Sequence, residues 1–112
     1  MNNNSQITTP TINIDGKIIR PSVPKMGVWR KFLEFYEKDN VDLKTMRLSE
    51  YTDALINLVV IGFDNPEVTA EKVEEFIGLN DLRTLVLNIF RWLQQIFFLG
   101  IESIPNADEV AK

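Results

Sequence analysis

The longest helical pattern in the chain runs from Asn80 to Gly100, and it limits what the remaining residues can build. Leu82, Val86, Ile89, Leu93, Ile96 and Phe97 recur at three- and four-residue steps, which places them on one stripe of a helix. Leu85, Phe90 and Trp92 widen that stripe, while Arg83, Thr84, Asn88, Arg91, Gln94 and Gln95 fall on the other side. Asn80 reads as the N-cap, because its side chain can accept a bond from a first-turn N–H. Asp81 follows, where a negative charge favours the positive end of the helix dipole. Gly100 reads as the stop, since glycine takes left-handed backbone without a steric cost. A helix of this length, about 30 Å, needs apolar cover along one side. The shorter elements before it have to supply that cover.

Those elements can be read in order. Residues 1–10 are polar and Asn-rich and read as a disordered arm bounded by Pro10. Thr11 to Arg20 carries the one clear β signal. Asp15-Gly16 between β-branched residues predicts a tight hairpin turn joining strands over about 11–14 and 17–20. A lone hairpin is marginal in water, so it must lie on the helices or pair with another chain. Pro21 to Pro24 reads as an extended linker. A first helix follows, with Val28, Trp29, Phe32, Leu33, Phe35 and Tyr36 inward and Asp39-Asn40 closing it. Val41 to Leu48 reads as a polar connection.

Ser49 is then the expected cap of a second helix, with Glu50 in its first turn. Tyr51, Ala54, Leu55, Leu58, Val59, Ile61 and Phe63 point inward, and Gly62 marks its end. Thr69 caps a short third helix over about 70–77, and Val68 can pack on Val73 to set its approach angle. Val73, Phe76 and Ile77 are its expected inward side chains. The residues from Glu102 to Lys112 read as a flexible tail. The predicted fold is therefore mainly α, a small four-helix domain over residues 11–101 with a short N-terminal β-hairpin.

Charge and composition exclude several functions. With 112 residues, one domain is expected. There is neither cysteine nor histidine, so thiol chemistry, the commonest general base and the commonest metal ligand are all missing. No cofactor site is expected: the glycines stand isolated, without a phosphate-binding loop. Neither a signal peptide nor a transmembrane segment is expected, which makes the cytoplasm the default compartment. Residues 1–31 hold five basic side chains and one acid, whereas the remaining chain is strongly acidic. The third and fourth helices resemble a helix-turn-helix in outline. Their junction carries Glu71, Glu74, Glu75 and Asp81, however, which would repel phosphate, so no nucleic-acid partner is expected. The same carboxylates read as a solvated face rather than as a catalytic pair, and no enzyme activity is expected.

What remains is an excess of apolar surface. Leu87 and Phe98 fall among Arg83, Arg91 and Gln94, outside the core stripe, and Leu99 sits on its other margin. Trp29, Phe35 and Tyr36 make the first helix broad as well. Either the short elements cover all of this surface or it meets another copy or a partner. Leu87, Phe98 and Leu99, with Trp29 and Tyr36, are the candidate contact residues.

The order of the segments carries a resemblance. A strand ending in Ile14-Asp15-Gly16-Lys17 precedes a helix reading Trp29-Arg30-Lys31-Phe32-Leu33-Glu34-Phe35. An apolar helix then runs into Ile61-Gly62-Phe63-Asp64-Asn65-Pro66. After it, Val68-Thr69-Ala70-Glu71-Lys72-Val73-Glu74-Glu75 leads through Gly78-Leu79 to the long helix. Over residues 11–101 this resembles the tail assembly chaperones of long-tailed bacteriophages of Gram-positive hosts. The resemblance implies a small cytoplasmic chaperone that binds the tape measure protein, keeps it soluble and helps recruit tail tube subunits. It also implies absence from the finished virion. A second reading from the residues is a small phage or bacterial adaptor that regulates a host protein through the same apolar face.

Overall fold

Asp15 and Gly16 both have positive φ, 54° and 80°, which is the geometry a two-residue hairpin turn requires. Asn13 Oδ1 accepts the Gly16 N–H at 3.0 Å and braces it. In the computed structural model, which describes residues 8–38 and 47–102, the turn joins β1 (Ile12–Ile14) to β2 (Lys17–Ile19). The strands are antiparallel, with Ile12 opposite Ile19 and Ile14 opposite Lys17. That register gathers Ile12, Ile14 and Ile19 on one buried face and leaves Ile18 exposed on the other. The hairpin thus lies on the helices, the first of the two alternatives open to it. Pro10, just before it, is buried.

Four helices follow. The first, α1 (Met26–Leu33), continues as a π-helical segment over Glu34–Lys38. After it come α2 (Leu48–Phe63), α3 (Ala70–Phe76) and α4 (Leu82–Glu102). Phe32, Val59, Phe63, Val73, Val86 and Ile89 are the most deeply buried side chains, so the core lies where these helices converge. The hairpin isoleucines close one side of it. The mainly α architecture with an N-terminal hairpin is as expected.

Several element ends differ from expectation, each for a local reason. Asn80 does not cap α4. It sits inside a turn closed by the Asp81 N–H donating to the Gly78 carbonyl at 2.9 Å. The cap position passes to Asp81, whose carbonyl accepts the Leu85 N–H at 2.9 Å. At its other end α4 runs on through Gly100 to Glu102, because glycine permits a left-handed stop without enforcing one. Ser49 does not cap α2 either. The helix begins at Leu48, and the Glu50 carboxylate reaches back to accept the Arg47 N–H at 3.3 Å. This is the acidic half of a capping box, and it satisfies a terminal donor without a serine. Thr69 caps α3 as expected, its hydroxyl accepting from Lys72 N–H at 3.2 Å. Val68 and Val73 are both buried.

Gly62 gives the most informative correction. It does not end α2; it is buried within the helix, and the left-handed residue is Asp64, with φ 47° and ψ 46°. A Cβ on Gly62 would stand 2.8 Å from Ile89 Cγ2 and 3.2 Å from Phe32 Cζ. Glycine is therefore required at the crossing of α2 with α4, not at a turn.

Beyond it, the 64–67 turn is tied to the segment after the hairpin. The Ser22 hydroxyl donates to the Asp64 carbonyl at 2.8 Å, and the Ser22 N–H donates to the Phe63 carbonyl at 2.9 Å. Asn65 Nδ2 donates to the Arg20 carbonyl at 3.2 Å, while its Oδ1 accepts the Glu67 N–H at 2.9 Å. Lys17 Nζ lies 2.8 Å from Glu67 Oε1. The lysine's hydrogen bond and charge hold the Glu67 carboxyl below the usual glutamate range. The pair is exposed, so it orients the hairpin more than it stabilises the fold.

Two side chains expected in the core lie at its edge. Phe76 and Phe97 are both exposed, whereas Ile56, not expected inside, is buried. The α3 stripe is too short to bury a third large residue once Val73 and Ile77 face inward. The expected closure of the first helix at Asp39-Asn40, most of the polar connection, the first residues of the arm and the tail from Ser103 onward lie outside the described residues.

Candidate protein-binding site

The contact between α1 and α4 is built from rings. Trp29 stacks on Phe90 at 5.8 Å and on Phe97 at 5.1 Å between centroids. Tyr36 stacks on Phe90 at 4.3 Å, and Phe32 lies nearly parallel to the same ring at 6.3 Å. The run extends to Phe98, which meets Phe97 edge-on at 5.4 Å. At its other end Phe35 packs edge-on against Tyr36 and faces Tyr51 of α2. Such pairs add about 0.5–1.5 kcal/mol each beyond the area they bury. The π-helical segment explains why Phe35 and Tyr36 can both take part. A wider turn changes the phase of the helix, and the structure has Phe35 toward α2 and Tyr36 on α4.

The five candidate contact residues separate into two groups. Leu87 and Tyr36 line an open groove of about 670 Å³ between the π-helical segment, the start of α2 and the start of α4. Tyr51, Asn80, Arg83 and Thr84 give this groove a polar side. Burial raises the Tyr36 hydroxyl above its ordinary pKa; Tyr51 adds to the rise and Arg83 opposes it. At neutral pH the groove therefore presents a neutral phenol beside a guanidinium.

Trp29, Phe98 and Leu99 lie toward the other end of α4. Trp29 is half-buried in the ring stack, while Phe98 is 52% exposed and Leu99 is 40% exposed. Leu87 and Phe98 are eleven residues apart, close to three helical turns, so they share one face of α4 with Arg91 and Gln94 between them. That face is a polar strip with an apolar residue near each end. The core closes without Phe98 and Leu99.

Met26 and Leu79, which the sequence does not single out, are also exposed, as is Phe97, which it assigns to the core stripe. Met26 and Phe97 border a small groove of about 130 Å³ beside Trp29. Leu79, in the turn before α4, is 99% exposed. Their exposure depends on how the elements meet, which periodicity within one element does not report.

Among the described residues no three acidic side chains form a group that could hold a metal ion, and no helix is long and apolar enough to cross a membrane. No family model, characterised protein or solved structure matches the chain.

Proposed function

We propose that this chain is a tail assembly chaperone of a long-tailed bacteriophage, acting by stoichiometric binding rather than chemistry. Its client is the tape measure protein, a long helical chain that it keeps soluble in the host cytoplasm while tail tube subunits gather. The observation that carries the reading is apolar surface left over beside a complete core: Phe98 and Leu99 stay exposed on α4, and half-buried Leu87 lines the open groove with Tyr36. A groove with apolar anchors and a polar rim suits an amphipathic helix laid along it. Many copies along one client would hold it by avidity, without high affinity at any single site. The segment order of the sequence supports the same reading.

The test is co-expression with a tape measure protein from the same genome. The soluble fraction of that protein should rise with the wild-type chain. It should fall back with Leu87→Asp combined with Phe98→Asp, since loss of two anchor residues removes most of an interface's strength. No rise with the wild-type chain sinks the proposal.

A further inference from the structure

The open groove that Tyr36 and Leu87 line differs in charge from its neighbours. It holds Arg83 and, among the described residues, no carboxylate. The neighbouring grooves take the acids. Asp53 and Glu74 line the one between α2 and α3, and Asp81 lines the one beside the hairpin. A groove without an acid is unexpected in a chain whose residues 32–112 hold fifteen acids against seven bases.

The polar groups around Arg83 can all donate. Tyr36, Tyr51 and Thr84 present hydroxyls, and Asn80 presents an amide. Burial raises the Tyr36 pKa, so at neutral pH that hydroxyl keeps its proton. A guanidinium has N–H donors and no acceptor, so this side of the groove calls for an acceptor, best of all a charged one. The other side is apolar: Phe35 and Leu55 are buried in its floor, and Leu79 stands almost fully exposed on its rim. The helix α4 adds a spacing. Arg83 and Leu87 are four residues apart, about 6 Å along the axis. A helix laid along α4 rises by the same amount in four of its own residues.

We infer that the groove takes a client helix by a carboxylate set against Arg83 and an apolar side chain set against Leu87, four residues apart in the client. The carboxylate can pair with the guanidinium through two parallel hydrogen bonds, and the hydroxyls and the amide donate to its remaining lone pairs. A client with this pattern satisfies the charge and the apolar floor together. A wholly apolar helix would strip water from the donors without pairing them, which is costly. A basic helix would bring like charge to Arg83. The chaperone reading, on which this rests, thereby gains the chemistry of the segment bound.

Two measurements test the inference. In the first, phenylbutyrate, a carboxylate on an apolar body, is titrated into the chain and followed by the ¹H–¹⁵N shifts of amides and arginine side chains. Phenylbutyramide serves as its neutral twin. The acid should shift the Arg83 Nε–H and the Thr84 and Leu87 amides, and it should bind at least about tenfold more tightly than the amide. Arg83→Gln should abolish that difference. Groove shifts that are absent, or the same for both probes, overturn the inference, as does acid binding unchanged by Arg83→Gln. The second measurement is the soluble yield of co-expressed tape measure protein. Arg83→Glu should return it to the level without the chain. Arg83→Lys should keep part of it, since an ammonium supplies charge without the planar fork. Arg30→Glu makes the same change in net charge at an exposed site on α1 and should leave the yield as in the wild type. Arg83 is itself exposed, so these changes spare the core, and circular dichroism checks this. An Arg83→Glu chain as effective as the wild type overturns the inference and leaves the chaperone reading standing. A wild-type chain that solubilises nothing overturns the chaperone reading itself, and the inference with it.

Discussion

A single glycine shows how opposite effects are weighed at the scale of one residue. Alanine in place of Gly62 would gain about 1 kcal/mol of helix propensity. Its Cβ would also press 2.8 Å from Ile89 Cγ2, on a side chain that is itself fully buried. Overpacking of a tight core costs about 1–3 kcal/mol, so Gly62→Ala should lose stability, by about 1 kcal/mol net. Gly27, in the first turn of α1, has nothing within 4 Å of the corresponding position. Gly27→Ala should therefore gain up to about 1 kcal/mol. Chemical denaturation of the two variants side by side checks both signs, and a stabilised Gly62→Ala would show that α2 and α4 can separate without loss. In the sequence the two glycines are alike, each a lone glycine in an apolar context. A stop at Gly62 was the natural reading because the left-handed alternative, Asp64, needs the ties from Ser22 to make it favourable.

Elements were legible where their period was long and their signals local. The α4 stripe, the Thr69 cap and the Asp15-Gly16 turn all rest on residues within a few positions of each other. Their ends were less so. Arg47 precedes α2 without a capping side chain of its own, and only the reach of Glu50 marks the start. The π-helical segment has no signature in the spacing of Phe32, Phe35 and Tyr36, since those residues also make a good α stripe. The joining of α1 to α4 is measurable at its rings. Trp29 and Phe90 stack directly, Trp29 also stacks on Phe97, and Phe90 also stacks on Tyr36. A double-mutant cycle of Trp29→Ala and Phe90→Ala should give a coupling energy of about 0.5–1.5 kcal/mol. Purely additive losses would mean that the rings fill space without favouring one another. Of the candidate site, the sequence revealed that apolar surface was in excess and that Phe98 and Leu99 were part of it. It did not reveal Leu79 or Met26, because an isolated apolar residue in a turn or first turn carries no periodic mark.

For the molecule as a whole, the hairpin is a working part of the core, although it is the only β structure among the described residues. Ile12 and Ile14 are buried alongside Val68 and Val73, and the polar ties at Ser22 and Asn65 hold the strands in place from behind. Ile14→Ala should lower stability by about 2–4 kcal/mol and leave one cooperative transition when followed by both fluorescence and circular dichroism. Two separated transitions would mean instead that the hairpin docks as an independent flap.

The ties that hold the hairpin join residues 42 and 45 positions apart, and this bears on how the chain is made. Strands at the N-terminus leave the ribosome early, but the valines and carbonyls that receive them come much later. From Ile12 to Val73, translation takes about 3–12 s at roughly 5–20 residues per second. During that interval three isoleucines and two open strand edges have no native partner, a state that invites pairing with another nascent chain. The stretch between the hairpin and α3 thus acts as a timer, and slow codons placed before residue 73 would lengthen the vulnerable interval for every copy on the same message.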